Sequence, residues 1–230
     1  MPPFADRRAA GKILAGLVRT AIPDKKVVVL GLPRGGVPVA FEIAAVLDAP
    51  LDVFVVRKLG MPGEEELALG AVASGGVRVL NQDLIHMLGV GETTVESITR
   101  REMIELERRE QLYRHGQPPI EVQHQRVVLV DDGLATGASM LAACRALRAR
   151  GVAQIIVAVP VAARETYKRF EEEADQIVCP VTPDDLGSVG RWYEDFSAVS
   201  DEEVRHFLEQ YVSKRTKNRA DASNMWGAPE

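Results

Sequence analysis

The stretch VVLVDDGLATGAS, residues 127–139, sets two carboxylates side by side at the end of an apolar run. The four leading aliphatic residues read as a buried strand, with Asp131 and Asp132 at its carboxyl end. Gly133, Leu134, Ala135, Thr136, Gly137, Ala138 and Ser139 then turn the chain into an Ala-rich segment that reads as a helix. Such a turn aims backbone N–H groups at one spot, with the positive end of the helix dipole behind them. Thr136 and Ser139 add hydroxyl donors. The combination suits a phosphate monoester. The carboxylates repel phosphate, so they need a partner one sugar away: vicinal hydroxyls, which donate to carboxylate oxygens, or a metal. The stretch therefore describes a sugar phosphate, with its phosphate in the loop and its diol on the acids.

The elements that must position these residues follow from periodicity. Residues 5–20 read as an amphipathic helix with Ile13, Leu14, Leu17 and Val18 on one side. Apolar strands are expected at 25–31, 51–58, 126–131, 154–161 and 176–180, and helices at 35–48, 138–151 and 163–173. Strands apolar on both faces that alternate with helices indicate a parallel sheet covered on both sides. Ligands bind such sheets beyond the carboxyl ends of the strands. Residues 59–66 read as a loop rich in Gly, Pro and charge. Residues 67–81 read as two short strands joined at Ser74-Gly75-Gly76. A long charged helix is expected over 91–116, packed on the core by Val95, Ile98, Leu106 and Tyr113.

With these placements, VVLVDDGLATGAS resembles the phosphoribosyl-pyrophosphate (PRPP) motif of the type I phosphoribosyltransferase family at all 13 positions. The resemblance extends over about residues 25–180. It implies an α/β fold: a parallel sheet flanked by helices, with a small C-terminal hood subdomain and a helical insertion. The core would span 1–181 with the insertion at 82–124, the hood-like segment 182–212, and a mobile tail 213–230. It also implies roles. Asp131 and Asp132 would hold the ribose hydroxyls. Residues 133–139 would hold the 5′-phosphate. LGLPRGGVP (30–38) stands where the family has its pyrophosphate loop, so Gly35 and Gly36 would permit close backbone approach and Arg34 would pair with pyrophosphate. Arg57 and Lys58 end the second strand and would meet the same group. LGMPGEEELALGAV (59–72) takes the place of the family's flexible lid, with Glu66 as a candidate contact. Trp192 and Tyr193, in GRWYEDF (190–196), are candidates to stack on an acceptor base; the alternative is that Trp192 and Phe196 plug a small C-terminal core. Mg²⁺ is the expected cofactor, brought by PRPP near Asp131 and Asp132 with no direct protein ligand assigned.

The implied reaction transfers the 5-phosphoribosyl group of PRPP to a nitrogen nucleophile, a nucleobase or related amine, and releases pyrophosphate. In family members that use 6-oxopurines, an acid precedes the Thr-Gly and accepts the purine N7 proton. Here that position is Ala135, which argues against hypoxanthine and guanine. The alternative is a PRPP-sensing regulator without catalysis. It calls for a nucleic-acid surface, and the only candidates, Arg100, Arg101, Arg108 and Arg109, are offset by Glu102, Glu105, Glu107 and Glu110.

Composition sets the outer limits. At 230 residues and net charge -5, the chain is not a general nucleic-acid binder. Two cysteines, Cys144 and Cys179, do not make a disulfide framework. No apolar run approaches the roughly 18 residues of a membrane span, and the N-terminus lacks a signal-peptide pattern. A soluble cytoplasmic protein is expected, without membrane or nucleic-acid partners. A homo-oligomer remains open.

Overall fold

The computed structural model describes residues 4–22 and 26–225, with side chains as far as Thr216 except at Glu65 and Glu66. In chain order the elements are α1 (Arg7–Ala21), β1 (Val28–Gly31), α2 (Gly36–Leu47), β2 (Leu51–Val53), β3 (Val56–Met61), β4 (Glu64–Ala73), β5 (Val77–Leu80), α3 (Gln82–Met87), α4 (Glu92–Arg114), β6 (Arg126–Val130), α5 (Ala138–Ala149), β7 (Gln154–Ala158), α6 (Arg164–Glu173), β8 (Gln176–Val178) and α7 (Asp201–Met225). No helix among the described residues is long and apolar enough to cross a membrane.

The central sheet is parallel, five-stranded and ordered β2-β1-β6-β7-β8. Its strands are apolar throughout because both faces are covered. Leu30, Val127, Leu129, Ile155 and Val157 face α5 and α6, against Met140, Ala143, Leu147 and Phe170. Val29, Val128, Val130, Ile156 and Ala158 face the other way, against α1, α2 and α7. The period of two along each strand thus feeds two cores at once. The first helix starts where Asp6 accepts a hydrogen bond from the Ala9 N–H at 2.7 Å, an N-cap.

The sequence predicts one strand over 51–58, and the structure divides it. Leu51–Val53 pairs in the parallel sheet, and Val56–Met61 opens a second, antiparallel sheet, β3-β4-β5. The hand-over is fixed by buried Ser74, whose hydroxyl accepts from the Val55 N–H at 2.8 Å and whose N–H donates to the Val55 carbonyl at 2.9 Å. The expected loop at 59–66 is the tip of the β3–β4 hairpin. Met61 pairs with Glu64 across Pro62-Gly63, and Gly63 has φ +84°. A Pro-Gly pair is turn chemistry as well as loop composition, because glycine takes the positive φ that a type II turn needs. The side chain of Glu66, the expected lid contact, lies outside the described residues.

The insertion over 82–124 contains α3 and α4. Val95, Ile98, Leu106 and Tyr113 form the buried stripe of α4 against Leu59, Leu69 and Val72 of the second sheet. The end of the chain differs from expectation. The hood-like stretch 182–200 is irregular apart from a short 3-10 turn at Val189–Trp192, and α7 then runs without a break through 213–225. It packs through Phe207 and Tyr211, whose rings lie 5.4 and 5.9 Å from that of Phe41 on α2. Residues 226–230 of the expected mobile tail lie outside the described residues.

The insertion is bolted to the central sheet by a buried ion pair. Arg114 Nε donates to Asp52 Oδ1 at 2.9 Å and its Nη2 to the Val53 carbonyl at 2.8 Å, with both side chains less than a tenth exposed. Glu110 and the Ile120 N–H complete the network at 2.7 and 3.0 Å. Removing one member leaves the other charged and unpaired. Arg114→Met is therefore expected to lower the free energy of unfolding by about 3–5 kcal/mol, read as a fall in the urea midpoint. An unchanged midpoint would show that the pair contributes nothing net.

Candidate active site

Winding of the central sheet reverses between β1 and β6. From β1 the chain crosses through α2 on one face to β2. From β6 it crosses through α5 on the other face to β7. The loops after β1 and β6 diverge there and leave a crevice, the switch point at which open α/β sheets bind ligands. Register puts both loops at the same edge, because Gly31 pairs with Val130 and the residues that follow are Leu32–Gly36 and Asp131–Gly137.

These loops touch. The Leu32 N–H donates to the Val130 carbonyl at 2.8 Å. A Cβ on Gly36 would stand 2.5 Å from that carbonyl oxygen and 2.8 Å from Asp131 Cα. A Cβ on Gly35 would overlap Asp132 Oδ2. The glycine pair is thus required by contact with the acid pair itself. The Pro33–Arg34 peptide in this loop is cis.

Asp131 Oδ1 accepts from the Asp132 N–H at 2.9 Å. Asp132 Oδ2 accepts from Arg7 Nε at 2.7 Å, and the Asp132 carbonyl accepts from the Tyr193 hydroxyl at 2.5 Å. Burial, with the neighbouring charge of Asp132, raises Asp131 well above the usual carboxylate range. Burial also raises Asp132, against the opposing pull of Arg7. Adjacent carboxylates in such a setting disfavour two simultaneous charges.

The loop after the acids is shaped from α6. Thr166 Oγ1 donates to the Ala135 carbonyl at 2.6 Å, and Arg169 donates to the Thr136 carbonyl. Gly137 stands at φ +73° as the cap of α5, and a Cβ there would meet the Phe170 ring at 2.6 Å. Ala135, Thr136 and Ser139 are exposed, and Ala138 is half-buried at the first position of the helix. Leu134 is buried and bridges to Ala162, while Gly133 lies under Val189, whose side chain an added Cβ would overlap.

A sequence model of the "Phosphoribosyl transferase domain" matches residues 5–191. The chain belongs to the phosphoribosyltransferase family. Two curated sequences from Mycobacterium tuberculosis strains, each named "Putative phosphoribosyl transferase", are 46% identical to it over 207 residues. The match covers 90% of this chain and 46% of theirs, so the chain spans about half the length of these relatives. The crystal structure of TT1426 from Thermus thermophilus is similar over 92% of this chain and 99% of that one, at 42% identity and a TM-score of 0.82.

Other residues expected in a phosphoribosyltransferase site are placed unevenly. Arg57 and Lys58 are neighbours on β3, so their side chains leave opposite faces. Arg57 points to the insertion, where its Nε and Nη2 donate to Glu102 Oε2 at 2.9 and 2.7 Å. Lys58 lines a cleft with Ala138, Leu141 and Arg145, beside the start of α5. Arg34 is exposed, its Nη1 3.8 Å from Asp201 Oδ1 at the start of α7. Trp192 is half-buried and its Nε1 donates to the Leu186 carbonyl at 3.2 Å. Tyr193 offers no open face: it is buried with Phe4 and Phe196 at 5.5 and 5.0 Å between ring centres. The residue that fills this small core is Tyr193 rather than Phe196, which is exposed.

Sequence reasoning missed Arg7 and Val189. Arg7 did leave a signal. It shares the buried face of α1 with Ala10, Gly11, Leu14 and Val18, and a charge in line with an apolar stripe needs a buried partner. Nothing local identified that partner as Asp132.

The raised state of Asp131 has a measurable consequence. An unfolded aspartate titrates at about 3.9, and the folded value lies above it. The stability tied to this group is fully present below the unfolded pKa and is lost as pH rises through the folded one. Asp131→Asn removes that loss. The variant is expected to melt above the wild type at neutral pH, with the gap closing towards about pH 4. A gap that stays constant with pH would contradict the electrostatic assignment.

Proposed function

We propose that this chain is a glycosyltransferase-type enzyme, a phosphoribosyltransferase that moves the 5-phosphoribosyl group of PRPP to a nitrogen nucleophile and releases pyrophosphate. The observation that carries this reading is the contact of the Gly35-Gly36 turn with Asp131 and Asp132 at the switch point. One loop offers close backbone approach, the other an acid pair and a helix N-terminus. A phosphorylated sugar with a vicinal diol and a second anionic arm has complementary groups for each.

In this reading Asp131 and Asp132 accept hydrogen bonds from the ribose hydroxyls. The residue 133–139 loop and the N-terminus of α5 hold the 5′-phosphate. Leu32–Gly36 and Lys58 hold the pyrophosphate. The acceptor nitrogen forms its bond to C1 as the C1–O bond breaks, and the electron pair leaves with pyrophosphate. Fixed donors around the leaving group stabilise that charge as it develops. Arg57 acts one step back, tying the hairpin to α4 through Glu102. Trp192 and Val189, both half-buried in the hood-like segment, are the candidates to meet an acceptor.

No group of three or more His, Cys, Asp or Glu among the described residues can hold a metal. Two adjacent carboxylates fit a Mg²⁺ that takes most of its ligands from substrate oxygens and water. Such an ion would neutralise part of the pyrophosphate charge.

The regulator reading has less support. Arg108 and Arg109 both bond to Glu105, and Arg101 bonds to Glu102, so three of the four arginines in question are matched by acids of the same helix. The free thiols Cys144 and Cys179 support a reducing, cytoplasmic setting.

Pyrophosphate release from PRPP with Mg²⁺, screened over bases and amines, tests the activity. Asp131→Asn with Asp132→Asn should fold normally and lose PRPP affinity by calorimetry. Unchanged affinity in that double variant would remove the ribose from this site.

Ala135 bears on the acceptor. Its methyl group cannot take a proton from a purine, and its carbonyl is already held by Thr166. A general base contributes roughly 10²–10⁴ in rate. Hypoxanthine and guanine are therefore expected among the slowest acceptors, and turnover of either as fast as the best amine would show that a base lies elsewhere.

A further inference from the structure

Arg7 is the least expected member of the site. It lies in the first turn of α1, 125 residues from the acid it binds. Its side chain is only 10% exposed, and two of its three nitrogens and one face have partners. Nε donates to Asp132 Oδ2 at 2.7 Å and Nη1 to the Ser197 carbonyl at 2.8 Å. The guanidinium carbon stands 3.9 Å from the centre of the Phe196 ring. A planar fork held on two edges and one face has little freedom left.

The backbone around it is equally tied. The Phe4 N–H donates to the Trp192 carbonyl at 2.6 Å, the Glu194 N–H to the Phe4 carbonyl at 2.7 Å, and the Asp195 N–H to the Ala5 carbonyl at 2.9 Å. The hood-like segment is therefore stitched to the N-terminal residues, and Arg7 stands where that seam meets the acid pair. Arg8 serves as a contrast. It is 53% exposed, turned to Glu42 on α2, and takes no part in the site.

We propose that Arg7 is a positioning residue of the phosphoribosyl site: clamped between Phe196 and Ser197, it holds the Asp132 carboxylate in place to receive a ribose hydroxyl. This rests on the phosphoribosyltransferase reading above. The physical argument is preorganisation. A carboxylate beside another carboxylate is pushed away from its neighbour, and that displacement weakens it as an acceptor for a diol. A guanidinium anchored from behind opposes it. It occupies one lone-pair position on Oδ2, and a carboxylate has about four. The anchor comes from the hood seam, so the inference ties hood geometry to sugar recognition rather than to the acceptor alone.

The test is calorimetry on the full chain with PRPP, ribose 5-phosphate and pyrophosphate, each with Mg²⁺. Arg7→Met should weaken PRPP and ribose 5-phosphate by roughly ten- to hundredfold, the range for a hydrogen bond between charged groups, and leave pyrophosphate unchanged. Arg7→Lys, which keeps the charge and loses the fork, should fall between. In an Asp132→Asn background, Arg7→Met should cost little more, because the group it positions is already gone. Arg8→Met should bind like the wild type. The inference is overturned if Arg7→Met binds PRPP normally, if it weakens pyrophosphate as much as ribose 5-phosphate, or if its cost is as large in the Asp132→Asn background as in the wild type. Should Arg7→Met fail to fold, Arg7→Lys decides: full affinity there overturns the proposal, and a loss confined to the two ribose ligands upholds it. If the wild-type chain binds no PRPP, the phosphoribosyltransferase reading falls first and this inference with it.

Discussion

The structure turns on one close approach, the Gly35-Gly36 turn lying against Asp131 and Asp132. Neither position in that turn has room for a side chain. The approach is possible because β1 and β6 are neighbours in register, and because α2 and α5 leave them on opposite faces of the sheet. Without that reversal, one helix would fill the crevice. The sheet, the two cores and the hydrophobic strands together form the frame for two loops in contact.

That contact has an electrostatic cost. It packs two carboxylates together at a partly buried edge, where burial favours their neutral forms. The compensation is drawn from distant parts of the chain. Arg7 comes from the first helix to the Asp132 carboxylate, and Tyr193, from the segment before α7, holds the Asp132 backbone carbonyl. The two arrive together because the N-terminal residues pair with the hood-like segment, Phe4 alongside Tyr193. Residues of the first helix and of the hood-like segment therefore converge on the centre of the site. A local destabilisation at the acids is balanced by a long-range seam, a common pattern at functional sites.

The insertion has a mechanical part in the same arrangement. Its helix α4 grips the second sheet through Arg57–Glu102 and the edge of the central sheet through Asp52–Arg114. The hairpin tip lies beside the start of α4, where Pro62 lines a shallow cleft with Thr93, Thr94 and Ser97. Splitting Arg57 from Lys58 follows from strand alternation. One side chain is structural, and the other is turned to the cleft beside α5.

Local pattern determined much of this protein. The parallel sheet was legible because strands buried on both faces must be apolar at every position, as 127–130 are. The stripe of Val95, Ile98, Leu106 and Tyr113 was legible from helical spacing. The acids and the glycine turns were legible because their chemistry is carried by neighbours in sequence. Three things were decided only by the tertiary structure. The break of 51–58 depends on a hydroxyl at Ser74. The run of α7 through 213–225 has its start fixed by packing on α2 and α4. The partner of Asp132 lies 125 residues away. Periodicity reports which face of an element is buried, and the stripe of α1 includes Arg7. It carries no information about what waits on the other side, because that is set by which elements the fold brings together.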